Sequence, residues 1–478
     1  MYRDAGRVQP HLEFLSSQAA KQIHHAALRI LEKTGVAVRH PHAVELLHSA
    51  GCDVAGERVR IPAYLVEDAL RSAPSTITVY DRQGRPALWL AGRRSYWGPG
   101  SDTPFVIDPD SGARRPTCLD DIRRIAVLVD CLTNLDFHMC MGVAHEIPPT
   151  IADKHHFLAM VDNTSKPVVF TAASRENLAD IHRMASLIAG GEEQLRRKPF
   201  VIHYTEPVAP LIHPFDSLRK LLFCIEKGIP VIYTSATTAA QNGPATLAGS
   251  LALSNARILS GLVIGQLAQK GAAMIVTMHA SSMDPRTGIH TYASPEHVIC
   301  QAAARGLAEH YDLPTFGRAG ATDAKTFDQQ AAFEAGYEIL MQALSGENLI
   351  HDVGYIESGL TASYASLVVC DEMIGAVKRV VRGFELNEQT LGLDLIDRIG
   401  PDGHFMAEEH TVENFRNEFW FPELLDRNNY LEWQGNGSTT LLQRAQARVQ
   451  HILGTHKPET LSTELVVELQ ELAVHDHT

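Results

Sequence analysis

The residues able to do chemistry in this chain fall in short polar or aromatic clusters, each at the end of an apolar run. They read Tyr96-Trp97, His138, His203-Tyr204-Thr205-Glu206, Tyr233-Thr234-Ser235, Thr277-Met278-His279, Phe316-Gly317-Arg318 and His351-Asp352, with Tyr355 just beyond. A nucleophilic hydrolase would need a GxSxG elbow and a nucleotide enzyme a GKS or GKT loop, and neither occurs. A zinc site needs ligands at first-contact spacing. His138-Met139-Cys140 with a distant Cys224 imitates an HxC…C set, but Cys224 sits inside the helical run Leu221-Leu-Phe-Cys-Ile-Glu, so no bound metal is expected. His24-His25 and His155-His156 are adjacent pairs that point to different faces of helices.

The elements that must position these clusters follow a beat. Apolar runs, several led by proline, begin near Leu135, Pro167, Pro199, Pro230, Ala272, Pro314 and Asn348. Helical patterns lie between them, at 153–161, 175–188, 215–227, 246–270 and 294–310. Proline suits the first residue of a strand, and unbroken apolar strands alternating with helices mark a parallel sheet covered on both faces. An eighth strand is placed at Arg94-Ser-Tyr-Trp97, before the helix 119–131. Eight such units predict a closed (β/α)8 TIM barrel, α/β in class, whose strand ends converge on one mouth. The competing doubly wound sheet needs a glycine-rich first crossover, and Gly98-Pro-Gly100-Ser-Asp-Thr lacks the later glycine.

Ahead of the barrel, residues 16–35 read as an amphipathic helix ending near Gly35, and Ile77–Leu90 as a hairpin around Arg82-Gln-Gly-Arg85. After Tyr355 a helix is predicted from Thr361 to Arg382, followed by a helical tail holding Trp420 and Trp433. The expected organisation is an α+β extension over 1–92, the barrel over 93–382 and a helical extension over 383–478.

Charge and cysteine usage exclude several partners. The 478 residues carry 42 basic and 56 acidic side chains, a net −14, which argues against a nucleic-acid surface. No apolar core of a signal peptide is read behind Met-Tyr-Arg-Asp-Ala-Gly-Arg, so no leader is expected, and no apolar run is read as reaching the ~20 residues of a membrane span. Seven scattered cysteines, odd in number and without CxxC, fit a reducing cytoplasm better than a disulfide framework.

Several segments, in order over about residues 10–455, carry a family resemblance. They are Leu31-Glu-Lys-Thr-Gly-Val, Trp97-Gly-Pro-Gly-Ser-Asp-Thr-Pro, Asn163-Thr-Ser-Lys-Pro-Val-Val-Phe, Gly320-Ala-Thr-Asp-Ala-Lys with Asp328-Gln-Gln, and Asn348-Leu-Ile-His-Asp-Val-Gly-Tyr-Ile-Glu-Ser-Gly-Leu. The chain resembles the trimethylamine methyltransferases, in their branch without pyrrolysine. The resemblance implies methyl transfer from a quaternary or tertiary methylamine, glycine betaine foremost, to Co(I) of a corrinoid (cobalamin) carried by a separate small protein. Carnitine, choline and proline betaine are alternative substrates, and a non-catalytic barrel that binds the corrinoid protein is a rival reading. The resemblance also leans towards a homo-oligomer.

A quaternary ammonium has no N–H, so aromatic faces and carboxylates must hold it. On that reading Tyr96, Trp97, Tyr204, Tyr233, Phe316 and Tyr355 supply a cage. His203, His279, Arg318 and His351 supply donors for a betaine carboxylate. The leaving amine departs neutral, so no general acid is needed, and no catalytic residue is assigned. Asp180-Ile-His182-Arg-Met-Ala185 imitates the DxHxxG loop of corrinoid carriers, but it lies within a helix and ends on alanine.

Overall fold

The computed structural model describes residues 7–234 and 237–477, which leaves Ser235 of the fourth strand-end cluster and the first six residues outside the description. Eight parallel strands form the centre. They are β1 (Tyr96–Pro99), β2 (His138–Met139), β3 (Val168–Phe170), β4 (Val201–Thr205), β5 (Val231–Thr234), β6 (Met274–Thr277), β7 (Phe316–Arg318) and β8 (Leu349–Val353). Strands β2 to β6 pair in order, and β7 pairs with β8 and β8 with β1. A parallel bridge from Val276 to Thr315 joins β6 to β7. The Asp136 and Phe137 amides donate to the Trp97 carbonyl, joining β2 to β1, so the sheet closes on itself. The architecture is a (β/α)8 barrel.

Each strand is followed by one long helix: α1 (Leu119–Cys131), α2 (Ala152–Asn163), α3 (Arg175–Ala189), α4 (Phe215–Lys227), α5 (Leu247–Ala268), α6 (Pro295–Tyr311), α7 (Gln329–Ser345) and α8 (Tyr364–Arg382). The helix expected from Thr361 begins only at Tyr364, because Thr361–Ser363 pairs as a strand with Phe105–Ile107 beside the mouth. Helix α5 corrects the reading of the apolar runs. Its 22 residues are long and apolar enough to cross a membrane, but 78% of its most apolar window is buried, as a core helix requires.

The pleat divides the strand residues into two sets, because successive side chains point to opposite faces. Phe137, Met139, Val169, Ile202, Ile232, Ile275, Phe316 and Leu349 fill the barrel interior, joined by Tyr96 and Tyr204. The hairpin of Ile77–Tyr80 and Pro86–Leu90 plugs the lower end through Ile77, Val79, Leu88 and Leu90. Val168, Phe170, Val201, Val231, Tyr233, Met274 and Val276 face outward into the helix layer. Trp97, Ile350 and Val353 do the same beneath α1 and α8.

Outside the barrel, the helix Ser17–Lys33 packs on α5 and α6, with His24 bonded to Tyr311 Oη at 2.9 Å. The helix Leu441–Thr455 returns across α8 and α1, and Thr463–Ala473 lies on α2 and α3. The short ribbon of Arg7–Val8 with Phe384–Glu385 marks the root of the segment between α8 and those two helices.

Candidate functional site

Two inward-facing rings and an imidazole make one wall of the mouth. Tyr204 of β4 lies 5.7 Å from Phe316 of β7, and His351 of β8 stacks on Phe316 at 4.2 Å. The Tyr204 hydroxyl donates to Glu206, two residues further along, at 2.8 Å. Tyr355 closes the next side. Its hydroxyl donates to the Ser101 carbonyl, and its ring fills the space over Gly100, where a Cβ would sit 2.1 Å from Cζ. Tyr292 stands edge-on to Tyr355 at 6.2 Å.

Arg318 forms the opposite pole. Its guanidinium sits over Tyr292 at 4.9 Å and donates to His297 Nε2 at 2.9 Å. Its Nε lies 3.9 Å from Asp352 Oδ2, and Asp352 Oδ1 lies 2.7 Å from His351 Nδ1. His279 follows β6, fully enclosed and 6.3 Å from His297. Neither of its ring nitrogens has a hydrogen-bond partner among the described residues, and the same holds for Gln301 Nε2 and Arg318 Nε. Buried polar groups are normally satisfied, so an unpaired set beside a guanidinium is suited to an incoming acceptor.

The electrostatics separate the two poles. Burial and the Arg318 charge push His279 and His297 well below the usual imidazole range, and His290 to about 4. All three are neutral near pH 7 and can donate one N–H. Burial pushes the Asp102 carboxyl up to about 6 and raises Glu206 as well. Both side chains nonetheless keep an exposed edge. Asp102 and Asp352 also hold left-handed backbone, φ 60° and 75°, a strained state that clusters at functional sites.

The mouth gathers six of the ten residues expected there: Tyr204, His279, Phe316, Arg318, His351 and Tyr355. The other four need correction, and the pleat gives the reason. Tyr96 faces inward but at the lower end, where its hydroxyl accepts from the Trp89 amide at 3.1 Å. Trp97, one residue on, points outward and is 1% exposed beneath the helices. His203 points outward against Phe170, its ring 5.0 Å away. Tyr233 lies on α5 at Gly261, and its hydroxyl bonds to His213 Nδ1 at 2.7 Å.

Sequence reading missed Asp102, Glu206, Asp352, Tyr292, His290 and His297. The signal for Glu206 and Asp352 was present, since both stand in strand-end clusters. Asp102 follows a glycine-rich turn at the end of β1. His297 comes from the first turn of α6 and Tyr292 from the loop before it, where spacing carries no signal.

Among the described residues, the His, Cys, Asp and Glu side chains placed to share a metal are Asp180, His475 and His477, at the chain's end. Lys154 Nζ already bonds Asp180 Oδ2 at 3.0 Å. His138 faces the helix layer and Cys224 is buried within α4, so they do not meet Cys140 as a ligand set. His182 stands mid-helix in α3 with its ring 5.8 Å from Phe223, so the Asp180–Ala185 stretch offers no exposed ligand loop.

A glycine betaine methyltransferase of Desulfitobacterium hafniense (strain Y51) is 30% identical over 469 residues, covering 97% of each chain. A trimethylamine methyltransferase of the same species (strain DSM 10664 / DCB-2) is 30% identical over 459 residues, covering 96% of this chain and 92% of its own. In three dimensions, the Methanosarcina barkeri monomethylamine methyltransferase superposes with a TM-score of 0.55 at 12% identity, over 92% of this chain and 88% of its own. The family description "Trimethylamine methyltransferase (MTTB)" matches residues 1–475, and the chain belongs to that family of methyltransferases.

Proposed function

We propose that the chain removes a methyl group from a quaternary or tertiary methylamine, glycine betaine being favoured, and passes it to a corrinoid carried by a separate protein. The observation that carries this reading is the two-pole mouth. Tyr204, backed by the buried stack of Phe316 and His351, and Tyr355 stand beside Asp102 and Glu206, which suits a permanent cation. Arg318 with the unpaired His279 and Gln301 groups suits a carboxylate. A zwitterion with both ends satisfies both poles, and a relative named for glycine betaine supports that choice over trimethylamine.

The corrinoid supplies the nucleophile that accepts the methyl group. Nothing in this chain has to ligate it. The chain's own residues hold and orient the substrate. The rings take the ammonium out of water without giving it a hydrogen bond, and the carboxylates balance its charge. The leaving amine is neutral, so no proton has to be delivered. Catalysis then rests on alignment and desolvation.

The test is incubation of the purified protein with reduced cobalamin and a panel of glycine betaine, carnitine, choline, proline betaine and trimethylamine, with the demethylated amine measured by mass spectrometry. Dimethylglycine formed at the highest rate supports the proposal. Binding of the panel without demethylation by any member, with the cognate carrier present, overturns it.

A further inference from the structure

A single carboxylate ties three loops of the mouth together. Asp323 stands in the loop after β7. Its Oδ1 accepts the Tyr292 amide at 2.9 Å, from the loop after β6, and the Ser358 hydroxyl at 2.8 Å, from the loop after β8. Its Oδ2 accepts the Ala293 amide at 3.4 Å. The Asp323 amide donates to Glu334 of α7 at 2.8 Å, which anchors the residue from behind. Both carboxylate oxygens are engaged by the chain, so Asp323 acts on the mouth through the loops it holds.

The loop after β8 is bent for this contact. Glu357, Ser358 and Gly359 hold left-handed backbone in succession, φ 56°, 54° and 84°. Residues other than glycine seldom adopt that state, and it persists only where the surroundings fix it. Here the Ser358 amide donates to the Thr322 carbonyl at 3.1 Å and the Glu357 amide to the Ala324 carbonyl at 2.7 Å, one residue to either side of Asp323. Arg114 pairs with the Glu357 carboxylate at 2.7 Å and holds the outer edge of the turn. The turn ends against Tyr292, because a Cβ on Gly359 would lie 2.8 Å from the Tyr292 hydroxyl.

Tyr292 is thus fixed at its amide by Asp323 and at its hydroxyl by the turn. Its flanks are pinned separately, since Ser282 Oγ bonds Thr291 Oγ1 at 2.9 Å and Ser294 Oγ at 2.6 Å. The ring carries the Arg318 guanidinium, 4.9 Å from its centre. It also lies within 20° of parallel to His297, the imidazole to which Arg318 donates. A guanidinium held over a ring face and against an imidazole keeps one orientation. Without that ring it can turn to Asp352, whose Oδ2 already lies 3.9 Å from its Nε. Such a turn would occupy the donor that a substrate carboxylate needs.

We infer that Asp323 is a positioning residue that sets a preference for carboxylate-bearing quaternary amines, by holding Tyr292 against Arg318. The inference rests on the proposed role of Arg318 as the partner of the substrate carboxylate.

Calorimetric titration of the full chain with glycine betaine, and with tetramethylammonium chloride as a cation lacking the carboxylate, tests it. Asp323→Ala should weaken glycine betaine by about tenfold to a hundredfold, the worth of hydrogen bonds to a charged group. Tetramethylammonium should bind that variant as it binds the wild type. Asp323→Asn keeps a carbonyl oxygen for the Tyr292 amide and the Ser358 hydroxyl, so it should restore most of the loss. Gly359→Ala crowds the Tyr292 hydroxyl from the other side and should reproduce the selective loss. Ser358→Ala removes one of the three bonds and should give a smaller loss of the same selectivity, which keeps the test sound if Asp323→Ala misfolds. Crystals of ligand-free Asp323→Ala should show the Tyr292 ring displaced from Arg318. Equal losses for the two ligands, an asparagine variant as weak as the alanine one, or an unmoved Tyr292 each overturn the inference. A wild type that does not bind glycine betaine is instead a failure of the substrate reading, and the ligand-free crystals then decide the positioning role by themselves.

Discussion

His351 lies flat on Phe316, with ring centroids 4.2 Å apart and planes within 16°. The pair follows from register. β7 and β8 run parallel with Phe316 opposite Leu349 and Arg318 opposite His351, and the pleat turns Phe316, Leu349 and His351 to the same side. Tyr204 extends the stack from β4. A wall built this way is fixed by three strands and needs no loop to order it.

The first prediction concerns that wall. Tyr204→Leu keeps apolar bulk and deletes a ring quadrupole, and Phe316→Leu removes the buried ring that backs Tyr204. A ring face in a desolvated site is worth roughly 0.5–2 kcal/mol to a cation, so each change should weaken binding of a quaternary amine by about 2- to 30-fold. Binding of the neutral isostere should hardly move. Calorimetric titration of both ligands checks this, and equal losses for the two would remove the cage.

Trp97 gives the contrasting case. It is buried beneath α1 and α8 and does not reach the mouth. Trp97→Leu should therefore lower stability by roughly 1–3 kcal/mol, less than a full truncation to alanine. Affinity in the folded fraction should stay at the wild-type value. Urea melting with titration below the transition separates the two effects.

The barrel was legible because its signal is periodic. Seven apolar runs at near-regular spacing, with an eighth strand placed upstream at 94–97, predicted eight strands, and eight are found. The site was half legible, since clusters at strand ends mark which strands carry chemistry but not which way each side chain points. Adjacent residues such as Tyr96 and Trp97 point to opposite faces, so a shift of one position moves a ring from the interior to the helix layer. Tyr292 and His297 could not be read at all, because a loop and a helix start bring them to the mouth without any period. Helix α5 was misjudged for a related reason. Its small residues, Ser254, Gly261 and Gly265 among them, interrupt the apolar run in sequence while remaining buried in the fold.

Gly100→Ala is predicted to act through Tyr355 alone. The new Cβ would sit 2.1 Å from the Tyr355 ring, so the ring must leave its place between Ser101 and Tyr292. A misplaced wall should lower kcat/KM by about tenfold or more, since positioning errors near 1 Å can cost 100-fold. In a Tyr355→Leu background the same glycine change should do little more harm. Additive losses in that double-mutant cycle would show that Gly100 acts elsewhere.

The last prediction is a pH profile with a fixed sign. A quaternary ammonium does not titrate, so any pH dependence of its binding comes from the protein. Burial raises the Asp102 carboxyl to about 6. The ionised form attracts the cation, so affinity should be full above pH 7 and fall as the pH drops through 6. The bound cation favours the ionised form in turn, so the carboxyl should release its proton when substrate enters at pH 6. Glu206 is raised too and should add to the fall at lower pH. The stability consequence runs the other way. The folded value lies above the ordinary 3.8, so the fold disfavours the ionised form. That unfavourable contribution is absent below about pH 4, grows between 4 and 6 and is complete above 6. Asparagine tolerates the left-handed backbone that Asp102 holds, so Asp102→Asn removes the charge without new strain. The variant should bind the quaternary amine at pH 8 about as weakly as the wild type does at pH 5. It should show a flatter profile and be at least as stable as the wild type above pH 6. Titrations at pH 5, 6, 7 and 8 on both proteins decide it, because superimposable profiles would take Asp102 out of the binding site.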